Sequence, residues 1–310
     1  MQNRVAPGAA ACACDAAERG DSDAGYVVRV MQGVGEMAGQ MSGAAVTWKT
    51  APASVDFPSD RIDIWRVCLD SFESPEPDFS GILSPDEVAR ASRFHFENDR
   101  RRFVRCRIAL RTLLGSYLDV PPAGIRFRYG SNGKPEIAGL QDSCGLRFNV
   151  SNSRGLALIA VSSGRAIGVD IEKVRPKVES LDIARRFFSA REIEALLALG
   201  ENKRQEAFFA CWTRKEAFLK STGDGLTYPL SEFSVSVDPD GPAELWEVKG
   251  NPNAVTHWSL ESVRPGAGYM GALAYEGPAC RVMVVPGCLS TARPYCLKPV
   301  GPWECHLLTM

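Results

Sequence analysis

The predicted elements follow the order strand, helices, strands, helices, strands, which indicates an α+β protein with two similar halves, 53–163 and 164–277. The length of 310 residues allows one large domain or two smaller ones. A composition of 45% hydrophobic and 24% charged residues is that of a globular protein with a core of normal size. No internal repeat is strong enough to prove that one half duplicates the other.

The first half opens with a strand at 61–70, in which apolar and polar side chains alternate. A helix then begins near Ser84, which fits the N-cap position. Pro85 takes the first helical position and Glu87 lies three residues after the cap, as in a capping box. A longer helix is predicted from 99 to 117, because its apolar residues recur at helical spacing.

Strands dominate the junction between the halves. The stretch 146–174 predicts three strands, and the last two are expected to form an antiparallel hairpin across the turn 162–165. The second half continues with predicted helices at 181–199 and 203–222. Further strands are expected near 232–237, 257–263 and 269–275.

Both ends of the chain are expected to lie outside the fold. Residues 1–52 are rich in Ala, Gly and small polar residues without a sustained period, which predicts a disordered leader. Residues 278–310 are punctuated by Pro and Cys, which predicts a tail without a helix or a regular set of strands.

The charge and cysteine patterns argue against several classes of protein. The formal net charge is −1, so nothing global favours binding to nucleic acid or to a membrane. Ten cysteines are scattered without paired CxxC spacing, which supports neither a zinc site nor a disulfide framework. No stretch has the pattern of a signal peptide or the length of a membrane span. We therefore expect a cytoplasmic protein with reduced thiols.

Two carboxylates are predicted on one face of a strand at 167–173. The side-chain period of two places Asp170 and Glu172 together with Gly168, opposite a face of isoleucine and valine. A solvated strand face is one explanation. A bound cation is the other, because neighbouring acids repel each other and hard oxygen ligands favour Mg²⁺ or Mn²⁺.

Trp212, Glu216 and Lys220 are each four residues apart in the predicted helix 203–222 and therefore share one face. On an exposed face, Glu216 and Lys220 would form an ordinary ion pair worth about 0.2–0.5 kcal/mol. The aromatic residue on the same stripe and a second basic residue, Lys215, count against that explanation. Together with the two strand carboxylates, Glu216 would complete a site of three acids, and Lys220 would reach a phosphate held there.

Other segments give weaker signals. The loop GSNGKPEI resembles a phosphate-binding loop, but Gly130 and Gly133 are too close and Pro135 follows Lys134, so a nucleoside triphosphatase is disfavoured. A tight turn with Lys134 can still contact a phosphate or an adenine ring. The arginines of NDRRRFVRCRIALRTLLG fit a solvated helix face, of which only some can face a ligand. The histidines lie in unrelated contexts, which gives no sign of a catalytic triad.

The two chemical segments resemble the paired signature of the 4′-phosphopantetheinyl transferases. GVDIEKVRP (168–176) and FACWTRKEAFLKSTGDGL (209–226) match the family pattern (I/V)-G-(I/V)-D-x-E followed by W-x-x-K-E-(A/S)-x-x-K at every specified position. Upstream, SNGKPEI and FNVSNS resemble the family's G-K-P and F-N-x-S-H-S segments. The similarity covers about 53–277 and is to the larger single-chain type, which activates nonribosomal peptide and polyketide synthases.

The resemblance implies two α+β subdomains related by pseudo-twofold symmetry, with coenzyme A and Mg²⁺ in the cleft between them. It implies a transferase of the holo-[acyl-carrier-protein] synthase type that acts, as a monomer, on apo acyl or peptidyl carrier protein domains. By motif position, the metal ligands would be Asp170, Glu172 and Glu216. The residues that would fall where the family contacts coenzyme A are Arg90, Arg111, Asn132, Gly133, Lys134, Pro135, Ser151, Asn152, Asp170 and Lys220.

The catalytic residues implied by the resemblance are Glu216, which would take the proton of a carrier serine directly or through a metal-bound water, and Lys220, which would stabilise the leaving phosphate oxygen. A basic segment next to Phe187 and Phe188 offers an edge on which a carrier could dock. A solvated helix with buried phenylalanines is an equal alternative for that segment. Its basic residues are Lys173, Arg175, Lys177, Arg185 and Arg186.

One position departs from the family pattern, since the histidine of S-H-S is Asn152 here. A histidine can present a cation to a phosphate, whereas asparagine offers a neutral amide, and charge-assisted hydrogen bonds are roughly twice as strong. We therefore predict weaker coenzyme A binding with the chemistry retained. Replacing Asn152 with His should lower the Michaelis constant for coenzyme A, and an unchanged constant would count against this role. The alternative is a degenerate protein that binds coenzyme A or a carrier without catalysis.

Overall fold

The computed structural model describes residues 60–70, 81–130, 132–139, 145–176, 180–223, 225 and 228–285. All of them belong to one unit of the chain, Thr47–Met310. The leader predicted at 1–52 and the part of the predicted tail from 286 onward lie outside the described residues.

Helices and strands alternate along the described chain in an α+β fold, as predicted. The helices are α1 (Pro85–Ala91), α2 (Glu97–Leu118), α3 (Ser180–Phe187), α4 (Ala190–Ala198), α5 (Glu201–Thr222) and α6 (Ala254–His257). The strands are β1 (Arg61–Cys68), β2 (Phe127–Tyr129), β3 (Pro135–Ile137), β4 (Leu146–Ser153), β5 (Leu156–Ser163), β6 (Ile167–Lys173), β7 (Phe233–Val235), β8 (Leu245–Val248), β9 (Trp258–Val263), β10 (Tyr269–Glu276) and β11 (Arg281–Val285).

The first sheet has the strand order β11-β1-β5-β4. The edge strand β11 runs parallel to β1, with Arg281 opposite Arg61 and Val285 opposite Trp65. The prediction of a tail without a regular strand is therefore wrong for 281–285. This strand has only five residues and its partner lies far away in the sequence, so local patterns do not reveal it.

The hairpin predicted across 162–165 does not form. Both edges of β5 are paired, one with β1 and the other with β4, so no edge is left for β6. Instead β6 begins a second sheet with the order β6-β10-β9, in which it pairs antiparallel with β10. The turn therefore carries the chain from one sheet to the other.

The two faces of the first sheet pack in different hydrophobic clusters. On one face Ile159 packs in a cluster with Leu110 of α2. On the opposite face Leu158 packs in a cluster with Val169 of the second sheet. Helix α5 covers the other side of the second sheet, where it contacts β6 and β10. This arrangement lays α5 along the strand that carries the predicted carboxylates.

The predicted helix 181–199 is in fact two helices, α3 and α4. The break falls at Ser189, whose hydroxyl accepts a hydrogen bond from the backbone N–H of Glu192, while the Glu192 carboxylate accepts one from the N–H of Ser189. This capping box starts a new helix. The predicted helix 203–222 is confirmed as α5, which ends where Gly223 adopts a left-handed φ of 82°.

Most of the longer predicted elements are confirmed, including β1, α2, β4 and β10. The strands β2, β3 and β8 were not predicted, and each has only three or four residues. A search of the described helices finds none with the length and apolar character needed to cross a bilayer.

Candidate active site

The site begins with a glycine that allows a helix to lie directly on a strand. A Cβ atom on Gly168 of β6 would be only 2.1 Å from the carbonyl oxygen of Ala217 and 2.4 Å from the backbone nitrogen of Ser221, both in α5. Any side chain at this position would push the helix outward. The close approach brings Lys220, on the last turn of α5, over the neighbouring part of β6.

Asp170 is the buried centre of the site, with 4% of its surface exposed. Its Oδ1 atom accepts hydrogen bonds from Nζ of Lys220 at 2.5 Å and from Oγ of Ser151 at 2.8 Å. Lys220 also donates to Ser151 at 3.0 Å. The other oxygen, Oδ2, is buried without a hydrogen-bond partner. A buried carboxylate oxygen is rarely left unpaired, and such an atom is a candidate ligand for a cation.

A row of polar side chains on β4 holds β6 in place. Asn149 Oδ1 accepts a hydrogen bond from the backbone N–H of Val169 at 2.8 Å. Ser151, two residues later, donates to Asp170, and Ser153 donates to Oε2 of Glu172 at 2.8 Å. The period of two puts these three β4 side chains on one face. Neighbouring strands of the two sheets are thus joined through side chains, and both predicted carboxylates of β6 are oriented by serines.

The charged groups of the site change each other's pKa values. The pKa of Glu216 is raised from 4.5 to about 7, chiefly by burial and also by the Asp170 carboxylate, while Lys220 opposes both. Burial lowers the pKa of Lys220, but Asp170 and Glu216 outweigh burial, so the net shift is upward. Lys220 therefore stays a cation at neutral pH, whereas Glu216 can gain or lose a proton there.

The chemistry of these residues fits a hard divalent cation. Asp170 and Glu172 from the strand and Glu216 from the helix supply carboxylate oxygens, which Mg²⁺ and Mn²⁺ prefer. The unpaired Oδ2 of Asp170 supports this assignment. Within the part of the chain that the structure describes, no three acidic, histidine or cysteine side chains are grouped so that they could hold a metal ion as they stand. Lys220 is the cation that contacts Asp170.

Arg111 lies away from this site. It is 2% exposed, and its Nε donates to Glu87 Oε2 at 2.7 Å. Its Nη1 donates to the carbonyl oxygens of Pro122 and Ile125 at 3.1 and 2.8 Å. A guanidinium enclosed in this way holds together the interior of the first half. This burial gives Arg111 a structural role, and its contact with coenzyme A stays a prediction.

Two other predicted contact residues are accessible. Arg90 is exposed on α1, where its guanidinium lies 5.3 Å from the ring centroid of Phe103. Asn152 is exposed on β4, because it points to the face opposite Ser151 and Ser153. Both side chains are free to meet a ligand from solvent, and the structure does not bring either into the hydrogen-bond network around Asp170.

The NGKP segment, Asn132 to Pro135, does reach the edge of the site. Lys134 Nζ donates to the backbone carbonyl of Lys220 at 2.5 Å and to that of Ile167 at 3.2 Å. Asn132 Nδ2 donates to the carbonyl of Gly223 at 2.9 Å. Both side chains thus contact the main chain of the second half.

Lys215, the neighbour of Glu216, is a buried structural residue. Its Nζ lies 2.6 Å from Oε1 of Glu192 and donates to the Phe233 carbonyl at 2.7 Å. The two side chains of the ion pair are 1% and 0% exposed. Trp212 is half-buried and packs in the same core as Phe208. The charged residues that are neighbours in the sequence therefore have two different environments. Lys215 belongs to a buried ion pair, whereas Glu216 and Lys220 belong to the site beside β6.

Sequence reasoning missed Asn149, Ser153 and the partner of Lys215. The alternation of Asn149, Ser151 and Ser153 along one predicted strand was a usable signal for a polar face. Nothing in the sequence indicated that this face would meet β6 rather than solvent. The partner Glu192 could not be found from spacing, because it lies on another helix.

Comparison with known proteins agrees with the signature. Residues 166–274 match the model of the 4′-phosphopantetheinyl transferase superfamily, and residues 76–164 match the model of the 4′-phosphopantetheinyl transferase N-terminal region. The chain belongs to the 4′-phosphopantetheinyl transferase family.

Individual relatives support this assignment. The chain is 41% identical over 231 residues to the 4′-phosphopantetheinyl transferase HetI of Nostoc sp.. The aligned region covers 74% of this chain and 94% of HetI. It is 37% identical over 186 residues to a putative 4′-phosphopantetheinyl transferase of Synechocystis sp., slr0495, covering 60% of this chain and 74% of that protein. It is 35% identical over 184 residues to the 4′-phosphopantetheinyl transferase Sfp of Bacillus subtilis, covering 59% and 80%.

Proposed function

We propose that this protein transfers the 4′-phosphopantetheine group of coenzyme A to a serine of an apo carrier protein and releases adenosine 3′,5′-bisphosphate. Membership of the family supports the reaction, and the meeting of Asp170, Glu216 and Lys220 between β6 and α5 is the observation that carries it. Phosphoryl transfer needs positioned charges more than covalent help from the protein. A buried acid, a base poised near neutrality and a fixed lysine supply those charges.

In the proposed reaction, the serine hydroxyl attacks the β-phosphorus of coenzyme A. A bond forms between the serine oxygen and phosphorus, and the bond from phosphorus to the bridging oxygen breaks. Glu216 accepts the serine proton, directly or through a water; its pKa of about 7 is that of the site without a metal. Lys220 stabilises the negative charge on the leaving phosphate oxygen. The bridging electron pair leaves with adenosine 3′,5′-bisphosphate, so that charge and atoms balance.

We propose Asp170, Glu172 and Glu216 as the residues that hold Mg²⁺. When bound, the ion would neutralise charge on the pyrophosphate and orient it. Ser151 and Ser153 would fix the two strand carboxylates for this task, as hydrogen-bond partners of metal ligands do. Arg90, Asn152 and the backbone of the NGKP segment are proposed contacts for the adenosine and its phosphates.

We also propose that the two halves act as subdomains with the active site in the cleft between them, as a monomer in the cytoplasm. The contact between β4 and β6 supports this division, because serines of β4 bind two of the proposed metal ligands, Asp170 and Glu172, across it. β11 adds residues 281–285 to the first sheet, so the N-terminal subdomain would include that strand. A pseudo-twofold relation between the halves belongs to the same proposal.

The carrier is proposed to dock beside α3. Arg185 and Arg186 are exposed there, and Arg185 forms an exposed ion pair with Asp182 at 3.3 Å. Phe188 is 4% exposed and stacks on Phe208, so of the two phenylalanines only the half-buried Phe187 can meet a partner. Lys177 lies outside the described residues.

If the edge binds an acidic helix, Arg186→Glu should slow labelling at low salt more than at high salt.

The deciding experiment is incubation with coenzyme A, Mg²⁺ and a panel of apo carrier proteins, with the mass of each carrier measured afterwards. A gain equal to one phosphopantetheine group on the serine of at least one acyl or peptidyl carrier is expected, which would also support the holo-synthase type of activity. Tight binding of coenzyme A without any mass gain across the panel would favour the degenerate, non-catalytic alternative.

A further inference from the structure

The NGKP segment meets helix α5 through side chains rather than through its backbone. Lys134 and Asn132 together donate three hydrogen bonds to main-chain carbonyls of the second half, at Lys220, Ile167 and Gly223. The distances are 2.5, 3.2 and 2.9 Å. These contacts span 86, 33 and 91 positions of sequence. The segment is therefore a long-range connection between the halves.

Two of the three acceptors lie where α5 ends. The last four carbonyl groups of a helix have no partner within the helix, and Lys220 contributes one of them because α5 ends at Thr222. A positive charge beside the C-terminus of a helix is also favoured by the helix dipole. Lys134 and Asn132 thus cap α5 from another part of the chain.

The third acceptor ties this cap to the strand. The carbonyl of Ile167 lies on β6, next to Gly168, and a Cβ on Gly168 would be 2.8 Å from the carbonyl carbon of Lys220. One ammonium group therefore binds strand and helix where their backbones touch. Lys134 is half-buried, and burial lowers its pKa to about 8, although Glu136 opposes the shift.

We infer that Lys134 is a positioning residue, which fixes the end of α5 on β6 so that the Lys220 side chain reaches Asp170 and Ser151. The sequence suggested that the Lys134 side chain can contact a phosphate. In the structure this side chain instead donates to backbone carbonyls. Asn132 is the second anchor of the same connection. This inference rests on the proposed function for its kinetic consequence, while the contact itself is a property of the fold.

The two roles of Lys134 give different kinetics. Loss of a phosphate contact weakens binding of coenzyme A, so its Michaelis constant rises. Loss of a positioning contact lets Lys220 move, and a misplacement of about 1 Å can cost on the order of 100-fold in rate. The Michaelis constant for coenzyme A then changes little, because the atoms removed from Lys134 and Asn132 are side-chain atoms, whereas the proposed adenosine contacts are Arg90, Asn152 and the backbone of the segment.

The test measures carrier labelling and Michaelis constants for wild type, Lys134→Met and Asn132→Ala, with Lys249→Met as the matched control. Lys249 forms an exposed ion pair with Glu232 and is 54% exposed. We expect kcat to fall by about 10-fold or more for Lys134→Met, with the Michaelis constant for coenzyme A within about twofold of wild type. Asn132→Ala should change kcat in the same direction by a smaller factor, and the control should match wild type.

Amide hydrogen exchange at 219–223 provides a readout that needs no activity. Lys134→Met should speed exchange there by about 10-fold, while exchange in the middle of α5 stays as in wild type. A raised Michaelis constant with unchanged kcat, or kinetics and exchange both unchanged, would overturn the inference. If Lys134→Met does not fold, Asn132→Ala decides by the same criteria. Failure of the wild-type protein to label any carrier would instead count against the proposed function, and the exchange data would still test the connection.

Discussion

The two oxygen atoms of Asp170 have different surroundings. Oδ1 is bound by Lys220 and Ser151, whereas Oδ2 is buried and unpaired. A carboxylate held by one oxygen can offer the other to an incoming cation without rearranging. The neighbouring Glu216 has the opposite character, since its proton is easily exchanged at neutral pH. Both acids are proposed ligands of the metal, and of the two only Glu216 is also proposed to move a proton.

Substitutions of Glu216 and Lys220 test their catalytic roles. Glu216→Gln removes the proton acceptor and Lys220→Ala removes the cation at the leaving oxygen, so each should reduce labelling by a fluorescent coenzyme A at least about 100-fold. Circular dichroism should show that both variants keep the fold. Labelling near the wild-type rate by either folded variant would defeat the corresponding assignment.

Glu216→Gln should also change how stability depends on pH in the protein freed of divalent metal by a chelator. The folded pKa of about 7 lies above the unfolded value of 4.5, so the folded state holds the proton longer, and the wild type loses stability as pH rises from 4.5 to about 7. Glutamine does not ionise. Relative to wild type, the variant should therefore gain melting temperature between pH 4.5 and pH 8. A constant difference across that range would contradict the raised pKa.

Ser153→Ala tests the row of β4 side chains. The change removes a hydrogen bond to Glu172 and leaves the backbone N–H of Lys173 without its serine acceptor, which should cost about 1 kcal/mol of stability. If Glu172 holds the metal, the Mg²⁺ concentration for half-maximal labelling should rise by about 10-fold. Ser92→Ala, which removes an exposed hydroxyl just after α1, is the matched control. An unchanged Mg²⁺ requirement would argue against Glu172 as a metal ligand.

At the scale of elements, the position of α5 depends on the missing side chain at Gly168. Gly168→Ala would place a methyl group within 2.1 Å of a backbone carbonyl. We expect α5 to shift, with a stability loss of about 1–3 kcal/mol and a fall in kcat on the order of 100-fold. Thermal denaturation and carrier labelling would measure both. Gly124→Ala is the control, because a Cβ there meets only atoms at 3.6 Å or more. A fully active Gly168→Ala would show that the contact is not required.

The sequence predicted those elements and residues whose evidence is local. Asp170, Glu172, Glu216 and Lys220 could be grouped by periods of two and four residues, together with the family signature. The end of α5 at Gly223 and the start of α1 at Ser84 follow from capping patterns. These features depend only on neighbours within one turn or one strand.

Features that depend on distant partners could not be predicted. The burial of Arg111 was not predicted, because it depends on Glu87, which lies 24 positions away. The pairing of β6 with β10 rather than β5 was missed, since a hairpin turn between two strands does not show that the edges of β5 are already taken. The acceptors of Lys134 are backbone carbonyls, which any sequence supplies.

At the scale of the whole molecule, the first sheet depends on a strand from the far end of the described chain. Val282 of β11 packs against the core between the sheets, whereas Val284 is 53% exposed. Val282→Asp should therefore lower the free energy of unfolding by about 1–3 kcal/mol, because it places a charge against apolar side chains. Val284→Asp should have a much smaller effect. Equal losses in urea denaturation would show that β11 contributes no packing.

The pairing of β1 with β11 has a consequence for how the protein is made. β1 is among the first described segments to leave the ribosome, and β11 is the last described strand to do so. During synthesis, the edge of β1 that β11 will cover stays open, and an open edge with apolar neighbours such as Ile62 and Ile64 invites pairing with other chains. Expression at lower temperature, or together with a chaperone that shields nascent chains, should therefore raise the yield of folded enzyme.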